Sequence, residues 1–477
     1  MQNERVAWYE PRLATTEACA VCGNTQHNHL VLQVAHWVRE MGMMQAALCG
    51  ACGSAWFPDM ERHLVPYPDQ HIILQDPDFP YYIYHYLEMV GGLDWKVSLL
   101  ERLPFAGFRS VLEIGCNAGV ALDYCLTLWD AQTVIGLEPS AYGVMGGKLL
   151  EIPIHAHYLK DAPVVQGQQF DCIYATEVLE HVPQPLAFLQ ELRARLNPGG
   201  MLLLTTPRAG ALNPQTPPGE LLAALSPGAH YFLLSPEKLA DLAQQAGFAW
   251  CHIEPFGMTQ LAVFSHAPVE LAPWFDARAR VREYYRRKTQ AEAQDARVQL
   301  GHWVNYHTHT AQAGIAVEDA AVQAIENGLQ QLFGIDLSQP QALCDRVLAA
   351  DSLVGVGKAM PYNLPFYLYW RARQLPEPDP RVWRYLQLAE ICVLQGLRAD
   401  FQNLFVYHAL VLQIGQALAA LPVSLPDHAW TLLARQIRQA IPELQTPEPA
   451  PPVVSSVWGQ MKSQLKRAGA RWMRVEL

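Results

Sequence analysis

The sequence predicts a doubly wound α/β domain between a small cysteine-rich module and an all-helical region. Three observations predict it. An apolar run, Val111 to Ile114, leads into the turn Gly115-Cys-Asn117-Ala-Gly119, a helix pattern follows through Trp129, and Thr133 to Leu137 reads as a second strand, which together make a βαβ start. Two cysteine pairs stand 26 residues apart near the N terminus. From about Ala272 onward, apolar residues recur at helical spacing.

The N-terminal pairs, Cys19-Ala-Val-Cys22-Gly and Cys49-Gly-Ala-Cys52-Gly, flank a strand-like run from Leu30 to Val34. Each CxxCG turn aims two sulfurs at one point, so the four thiolates suit a closed tetrahedral zinc ribbon in residues 1–65. A closed site is structural, and zinc binding there would contribute on the order of 10 kcal/mol to folding. The other six of the ten cysteines are scattered and read as core. A helical connector, 66–104, leads to the α/β domain at 105–268.

In that domain, glycine at 115 and 119 lets backbone approach a ligand, and Glu138, at the tip of the second strand, suits two hydroxyls of an unphosphorylated ribose. A dinucleotide fingerprint would need a third glycine, whereas Asn117 and Ala118 stand here and Glu113 precedes the turn, a carboxylate that suits a cationic ligand. Glu113-x-Gly115-x-Asn117-x-Gly119 resembles motif I of the class I S-adenosylmethionine-dependent methyltransferases, with Asn117 where glycine is usual. Phe170 to Thr176-Glu177-Val-Leu-Glu180-His181 resembles that family's fourth strand and following turn, and Asn197-Pro-Gly-Gly200 with Met201 to Pro207 its fifth strand. The resemblance spans about residues 105 to 265 and implies a seven-stranded Rossmann-like domain. It further implies S-adenosylmethionine as cofactor. Glu113 and the Gly115 to Gly119 backbone, with Asn117, would hold the methionine end, Glu138 the ribose and Asp161 the adenine amine, with Thr176 and Glu177 at the edge of the site.

Transfer from a sulfonium is an in-line displacement, so alignment supplies most of the rate and a base adds roughly 10² to 10⁴. His181 and His230 are the candidate bases, because neutral imidazole accepts a hydroxyl proton near pH 7. His181 is preferred because it follows the fourth strand, whose C-terminal edge faces the crevice. The Pro-, Gly- and Ala-rich insert Arg208 to Ala229 reads as a lid or substrate loop.

A zinc ribbon before this domain resembles a bacterial subgroup acting on sugars of surface glycans, antibiotics or lipids. The expected reaction is therefore methyl transfer to a hydroxyl of a sugar, glycan or glycolipid intermediate, with a small-molecule or lipid-linked sugar as acceptor. The alternatives are sugar C-methylation, a non-catalytic methyltransferase-like scaffold and, third, ribosomal RNA methylation. Of the C-methyltransferase signature Tyr-x-Glu-His, only His230 is present. A net charge of −11, with three Arg and no Lys in the first 60 residues, disfavours nucleic acid.

The helical region, 269–440, shows helical patterns over Ala277 to Leu300, Val317 to Leu332, Pro340 to Ala350, Pro380 to Leu397 and Asp400 to Leu421. Gly355-Val-Gly-Lys358 lacks the first glycine of a phosphate loop and reads as a turn. His302, His307 and His309 lack the spacing of a helical zinc pair, and Tyr362 to Trp370 reads as core. After a proline-rich linker, 441–456, residues 457–477 form a basic amphipathic pattern with Trp458, Met461, Leu465 and Trp472 on one face, suited to peripheral contact with an anionic membrane. With no signal-like N terminus and no long apolar span, the chain is expected in the cytoplasm, peripherally at the inner membrane face.

Overall fold

The computed structural model describes residues 6–64, 70–89, 93–104, 106–376, 379–404, 406–421 and 429–444. The expected tail helix, 457–477, and most of the linker before it lie outside the described residues. Strands β1 (Val6–Thr15), β2 (Asn28–Ala35), β3 (Met43–Leu48) and β4 (Ala55–Trp56) form an antiparallel meander. Four helices follow, α1 (Met60–His63), α2 (Gln70–Gln75), α3 (Phe79–Glu88) and α4 (Leu93–Leu100).

The α/β region comprises β5 (Ser110–Ile114), α5 (Val120–Leu128), β6 (Thr133–Leu137), α6 (Ala141–Leu150), β7 (Ile154–His155), β8 (Phe170–Thr176), α7 (Pro185–Ala194) and β9 (Leu196–Pro207). It continues through α8 (Pro218–Leu225), β10 (Phe232–Leu233), α9 (Pro236–Gln245), β11 (Trp250–Phe256) and β12 (Thr259–Ser265). Its seven-stranded sheet has the order β11-β12-β9-β8-β5-β6-β7. Strands β5 to β9 run parallel, and β12 lies antiparallel to both β9 and β11. Helices cover both faces, so β5 and β8 are near-continuous buried runs rather than alternating ones. The chain winds outward from β5 to β7, then returns to β8 on the other side of β5. Connections after β5 and β8 therefore part in opposite directions, opening a crevice at their C-terminal ends.

Strand β10 does not join that sheet. It pairs with β4, Phe232 opposite Trp56 and Leu233 opposite Ala55, making the N-terminal sheet five-stranded. The insert before it is no free lid either. Its Ala209, Ala211, Leu221, Ala224 and Leu225 are buried in one core with Val31, Leu32, Val34 and Met44 of the N-terminal sheet. Its small residues, which read as loop composition, permit close packing instead.

Nine helices fill the described part of the C-terminal region: α10 (Arg278–Gln290), α11 (Ala296–Gln312), α12 (Asp319–Phe333), α13 (Pro340–Leu348), α14 (Leu353–Ala359), α15 (Leu364–Gln374), α16 (Pro380–Asp400), α17 (Val406–Ala419) and α18 (Ala429–Gln439). The single helical pattern from Ala277 to Leu300 breaks in two because Asp295 caps α11, accepting from Arg297 N and Val298 N at 2.9 Å each. Gly355 to Lys358 lie inside α14 rather than in a turn, with Ser352 Oγ accepting from Gly355 N at 3.2 Å as its cap. Tyr362 and Tyr367 are wholly buried. Helix α3 belongs to both cores, since its Tyr82 and Tyr84 pack against the cluster under the sheet and the cluster of the helical region. Among the described residues, no helix is long and apolar enough to cross a membrane.

Candidate active site

The turn after β5 is left-handed at three positions, Gly115 (φ 67°), Asn117 (φ 50°) and Gly119 (φ 83°). A β-carbon at Gly115 would lie 2.7 Å from Val178 Cγ2, and one at Gly119 would lie 2.7 Å from Ile154 Cδ1, so φ favours glycine at both positions and a β-carbon would also have to displace those side chains. Asparagine tolerates the left-handed region better than other non-glycine residues, and Asn117 Oδ1 also accepts from Ala118 N at 2.7 Å. The departure from glycine thus keeps the loop's shape. Glu138, just beyond β6, fastens this turn: Oε2 accepts from Asn117 N at 3.1 Å and Oε1 from Ser140 N at 3.0 Å. A carboxylate has about four acceptor sites, so capacity for hydroxyls remains. Burial pushes its carboxyl upward, opposed by the bonds from Ser140 and Asn117.

Glu113, at the end of β5, is wholly buried, and its Oε1 accepts from Lys96 Nζ of α4 at 2.9 Å. Burial raises the Glu113 carboxyl against the pull of Lys96, whereas Lys96 is held cationic because Glu113 and nearby groups outweigh its own burial. The expected ligand for the methionine end therefore comes already paired. Sequence reading missed Lys96, although a lone lysine in the apolar run Leu93-Asp-Trp-Lys-Val-Ser-Leu-Leu was a signal. Glu113 Oε2 and the Tyr86 hydroxyl are buried without a hydrogen-bond partner, and Ser140 and Tyr174 bring two more buried hydroxyls, turned toward Glu138 and Thr176. Tyr86 feels the charges of Lys96, Glu113 and Glu138, which places these groups in one neighbourhood. Unsatisfied buried polar atoms clustered in this way fit a site for a polar, zwitterionic ligand.

On the other side of the crevice, Thr176 ends β8 and Glu177 follows at φ 55°. A non-glycine residue in that region marks a constrained position. Glu177 N donates to Thr205 O at 2.8 Å, and Glu177 Oε1 accepts from Thr259 Oγ1 at 2.9 Å. Glu180 and His181 form a single tight turn after it. His181 Nδ1 lies 2.9 Å from Ala229 O, and His230 Nδ1 lies 2.8 Å from Ala224 O. A carbonyl can only accept, so both rings carry the proton on Nδ1 and present a basic Nε2. Those Nε2 atoms stand 4.0 Å and 3.7 Å from Glu180 Oε1. Glu180 Oε2 accepts from Thr206 Oγ1 at 3.0 Å. Glu180 and His230 are sealed from solvent, while the His181 side chain is 39% exposed. The two candidate bases thus come together, one at the surface and one behind it. Asp161 lies in the turn after β7, exposed, with its carboxylate 3.9 Å from Lys160 Nζ.

At the N-terminal end, the cysteines converge as two pairs, Cys19 and Cys52 with sulfurs 3.8 Å apart and Cys22 and Cys49 at 3.6 Å. All four sulfurs lie within 4.8 Å of one another. A disulfide needs about 2.05 Å, whereas the edge of a tetrahedron with metal–sulfur bonds of about 2.3 Å is about 3.8 Å. Val21 N and Ala51 N each point at a sulfur at 3.4 Å, the amide cradle of such knuckles.

Residues 93–253 match the family described as a methyltransferase domain. The ubiquinone biosynthesis O-methyltransferase of Dinoroseobacter shibae is 33% identical over 176 residues, which span 34% of this chain and 68% of that protein. Its namesake in Xanthomonas euvesicatoria is 34% identical over 157 residues, 31% of this chain and 64% of that protein. Among solved structures, an O-methyltransferase family protein from Burkholderia thailandensis is 15% identical with a TM-score of 0.35, over 44% of this chain and 68% of that one. The relatives' names overturn the expectation of a sugar, glycan or glycolipid acceptor, which rested on the cysteine module alone. That module specifies a fold element and says nothing of the acceptor. The glycine turn, the acid after β6 and the switch-point crevice converge with these relatives on one conclusion: the chain belongs to the class I S-adenosylmethionine-dependent methyltransferases.

Proposed function

We propose that this methyltransferase moves a methyl group to a hydroxyl oxygen of a small molecule, with His181 as the proton acceptor. The observation that carries this reading is the state of His181: Nδ1 is tied to Ala229 O, leaving Nε2 basic at the exposed rim of the crevice beside Glu180. The curated relatives are named O-methyltransferases, which supports oxygen as the methylated atom. When bound, S-adenosylmethionine supplies an electrophilic methyl on a sulfonium. Lys96 and Glu113, paired with each other, would oppose the carboxylate and ammonium of its methionine end, and Glu138, which already holds the turn, would accept from its ribose hydroxyls. His181 Nε2 would take the acceptor's hydroxyl proton as the new carbon–oxygen bond forms and the methyl's bond to sulfur breaks, its electron pair staying on sulfur and the neutral thioether leaving, and Glu180 would stabilise the resulting imidazolium. His230 shares the Glu180 carboxylate from behind and is sealed from solvent, so it orients rather than reacts. Asp161, Thr176 and Glu177 complete the proposed cofactor and acceptor edges.

The four cysteines hold a structural zinc ion in this reading, because their spacing is that of a tetrahedral thiolate site. The test is an acceptor screen with labelled methyl groups, beginning with phenols, whose acidity suits an imidazole base. Methylation of oxygen that drops about 10²-fold or more in His181→Gln supports the reading. A product methylated on carbon or nitrogen would sink it.

A further inference from the structure

We infer that Ser235 is a positioning residue, which locks the second cysteine knuckle to the segment carrying His230 and thereby sets the geometry of Glu180 and His181. Its backbone N–H donates to Ser54 Oγ at 3.2 Å, and its hydroxyl donates to Cys52 O at 2.7 Å. The same hydroxyl accepts from Lys238 N at 3.1 Å as the cap of α9. A helix cap needs only an acceptor, and any of several side chains provides one. The bond to Cys52 needs a donor as well, so the side chain at this position must donate and accept at once, as the single Ser235 hydroxyl does.

From Ser235 the constraint runs back along the chain. Leu233 and Phe232 pair with Ala55 and Trp56. Phe57 N donates to Tyr231 O at 3.4 Å, and Tyr231 N donates to Glu180 O at 2.8 Å. At the far end, Gly228 (φ 86°) is pressed against His36, whose Nε2 would lie 1.9 Å from a β-carbon at 228. His36 is itself fixed between Val38 N at 2.9 Å and His63 O at 3.0 Å. The N-terminal sheet therefore grips residues 228 to 235 at both ends, and His230 lies between the grips. Within that segment, the Ala229 carbonyl orients His181. The cysteine module thus acts on the reaction through backbone register rather than through contact with substrate.

The catalytic consequence rests on His181 as the base, but the structural link is testable without turnover. Ser235→Asp keeps a capping acceptor and loses the donor to Cys52, whereas Ser235→Thr keeps both. In full-length, metal-replete protein labelled at histidine nitrogens, NMR reads the imidazole signals, and hydrogen exchange reads the Tyr231 amide. In Ser235→Asp we expect the His181 and His230 signals to move and Tyr231 exchange to quicken about tenfold. The His302 and His307 signals should stay in place, S-adenosylmethionine affinity should be retained, and Ser235→Thr should resemble the wild type. Unmoved His181 and His230 signals with unchanged exchange would overturn the inference. So would collapse of the His302 signals as well, because the bond would then serve the whole fold and not this segment. Loss of the base reading, shown by a fully active His181→Gln, would leave these outcomes untouched.

Discussion

Lys96 Nζ stands 2.9 Å from Glu113 Oε1, with both side chains almost entirely inside the protein. Removing one member of such a pair strands a buried charge, a loss of about 3–5 kcal/mol, whereas removing both is far milder. Lys96→Met should therefore melt well below the wild type, and Lys96→Met/Glu113→Gln should recover most of the melting temperature. Neither should bind S-adenosylmethionine with wild-type affinity. Tight binding by the double variant, measured calorimetrically, would remove these residues from the cofactor site.

Glu138 holds the Asn117 and Ser140 amides and, in the proposed cofactor site, would also accept from a ribose. Glu138→Ala should weaken S-adenosylmethionine and S-adenosylhomocysteine alike, by about 10²-fold if two charge-assisted bonds of about 1.5 kcal/mol each are lost. Glu138→Gln should lose less, since its amide oxygen still accepts. Equal affinities for the wild type and Glu138→Ala would contradict the assignment.

Acid should loosen the helical region. Burial is the main cause lowering His302 and His307 to about 3 and His85 to about 4, from an ordinary value of 6.5. The unfolded chain then takes up protons first as pH falls below about 6.5, and each such group costs up to about 1.4 kcal/mol per pH unit until its folded value is reached. Stability should be full above that pH and decline below it, His85 contributing down to about pH 4 and His302 and His307 down to about pH 3. Melting temperatures should fall over this interval, less steeply in His302→Asn. A flat profile from pH 7 to 5 would mean that these rings are not held neutral.

Elemental analysis should find about one zinc per chain, on the four-thiolate geometry. Cys19→Ser with Cys49→Ser should abolish it. Prolonged chelation should raise hydrogen exchange in β1 to β4 and in α8, which share a core, more than in β5 or β8. Chains purified from zinc-supplemented cells that carry no metal would refute the site.

What the sequence disclosed was mostly local. The strand from Thr133 to Leu137 matches its expected limits, because an apolar run between a loop and an acid leaves little ambiguity. The turn glycines Gly115 and Gly119 were also legible from their spacing, whereas His181 and His230 were singled out separately, as alternatives, and only the fold brings them together around Glu180. Lys96 was hidden because its partner lies 17 residues away and only the fold brings the two together. The pairing of β10 with β4 was equally invisible: a two-residue strand has no periodicity, and its neighbour is about 180 residues distant in sequence. The convergence of the four cysteines was readable from their two CxxC turns, but extending that to a sugar acceptor used a motif to answer a question that belongs to the acceptor pocket.

Because α3 lends Tyr82 and Tyr84 to both large cores, neither half of the molecule has a boundary of its own there. The bond from Arg297 Nη2 to Glu88 Oε2 at 3.1 Å, and that from Tyr84 Oη to Asp295 Oδ2 at 2.8 Å, rivet the same helix to α11. Cutting the chain between sheet and helices would expose apolar surface on each fragment, which invites aggregation rather than independent folding. Heat should accordingly take both halves through one cooperative transition, and the enzyme is best regarded as a single thermodynamic body built over a shared keel.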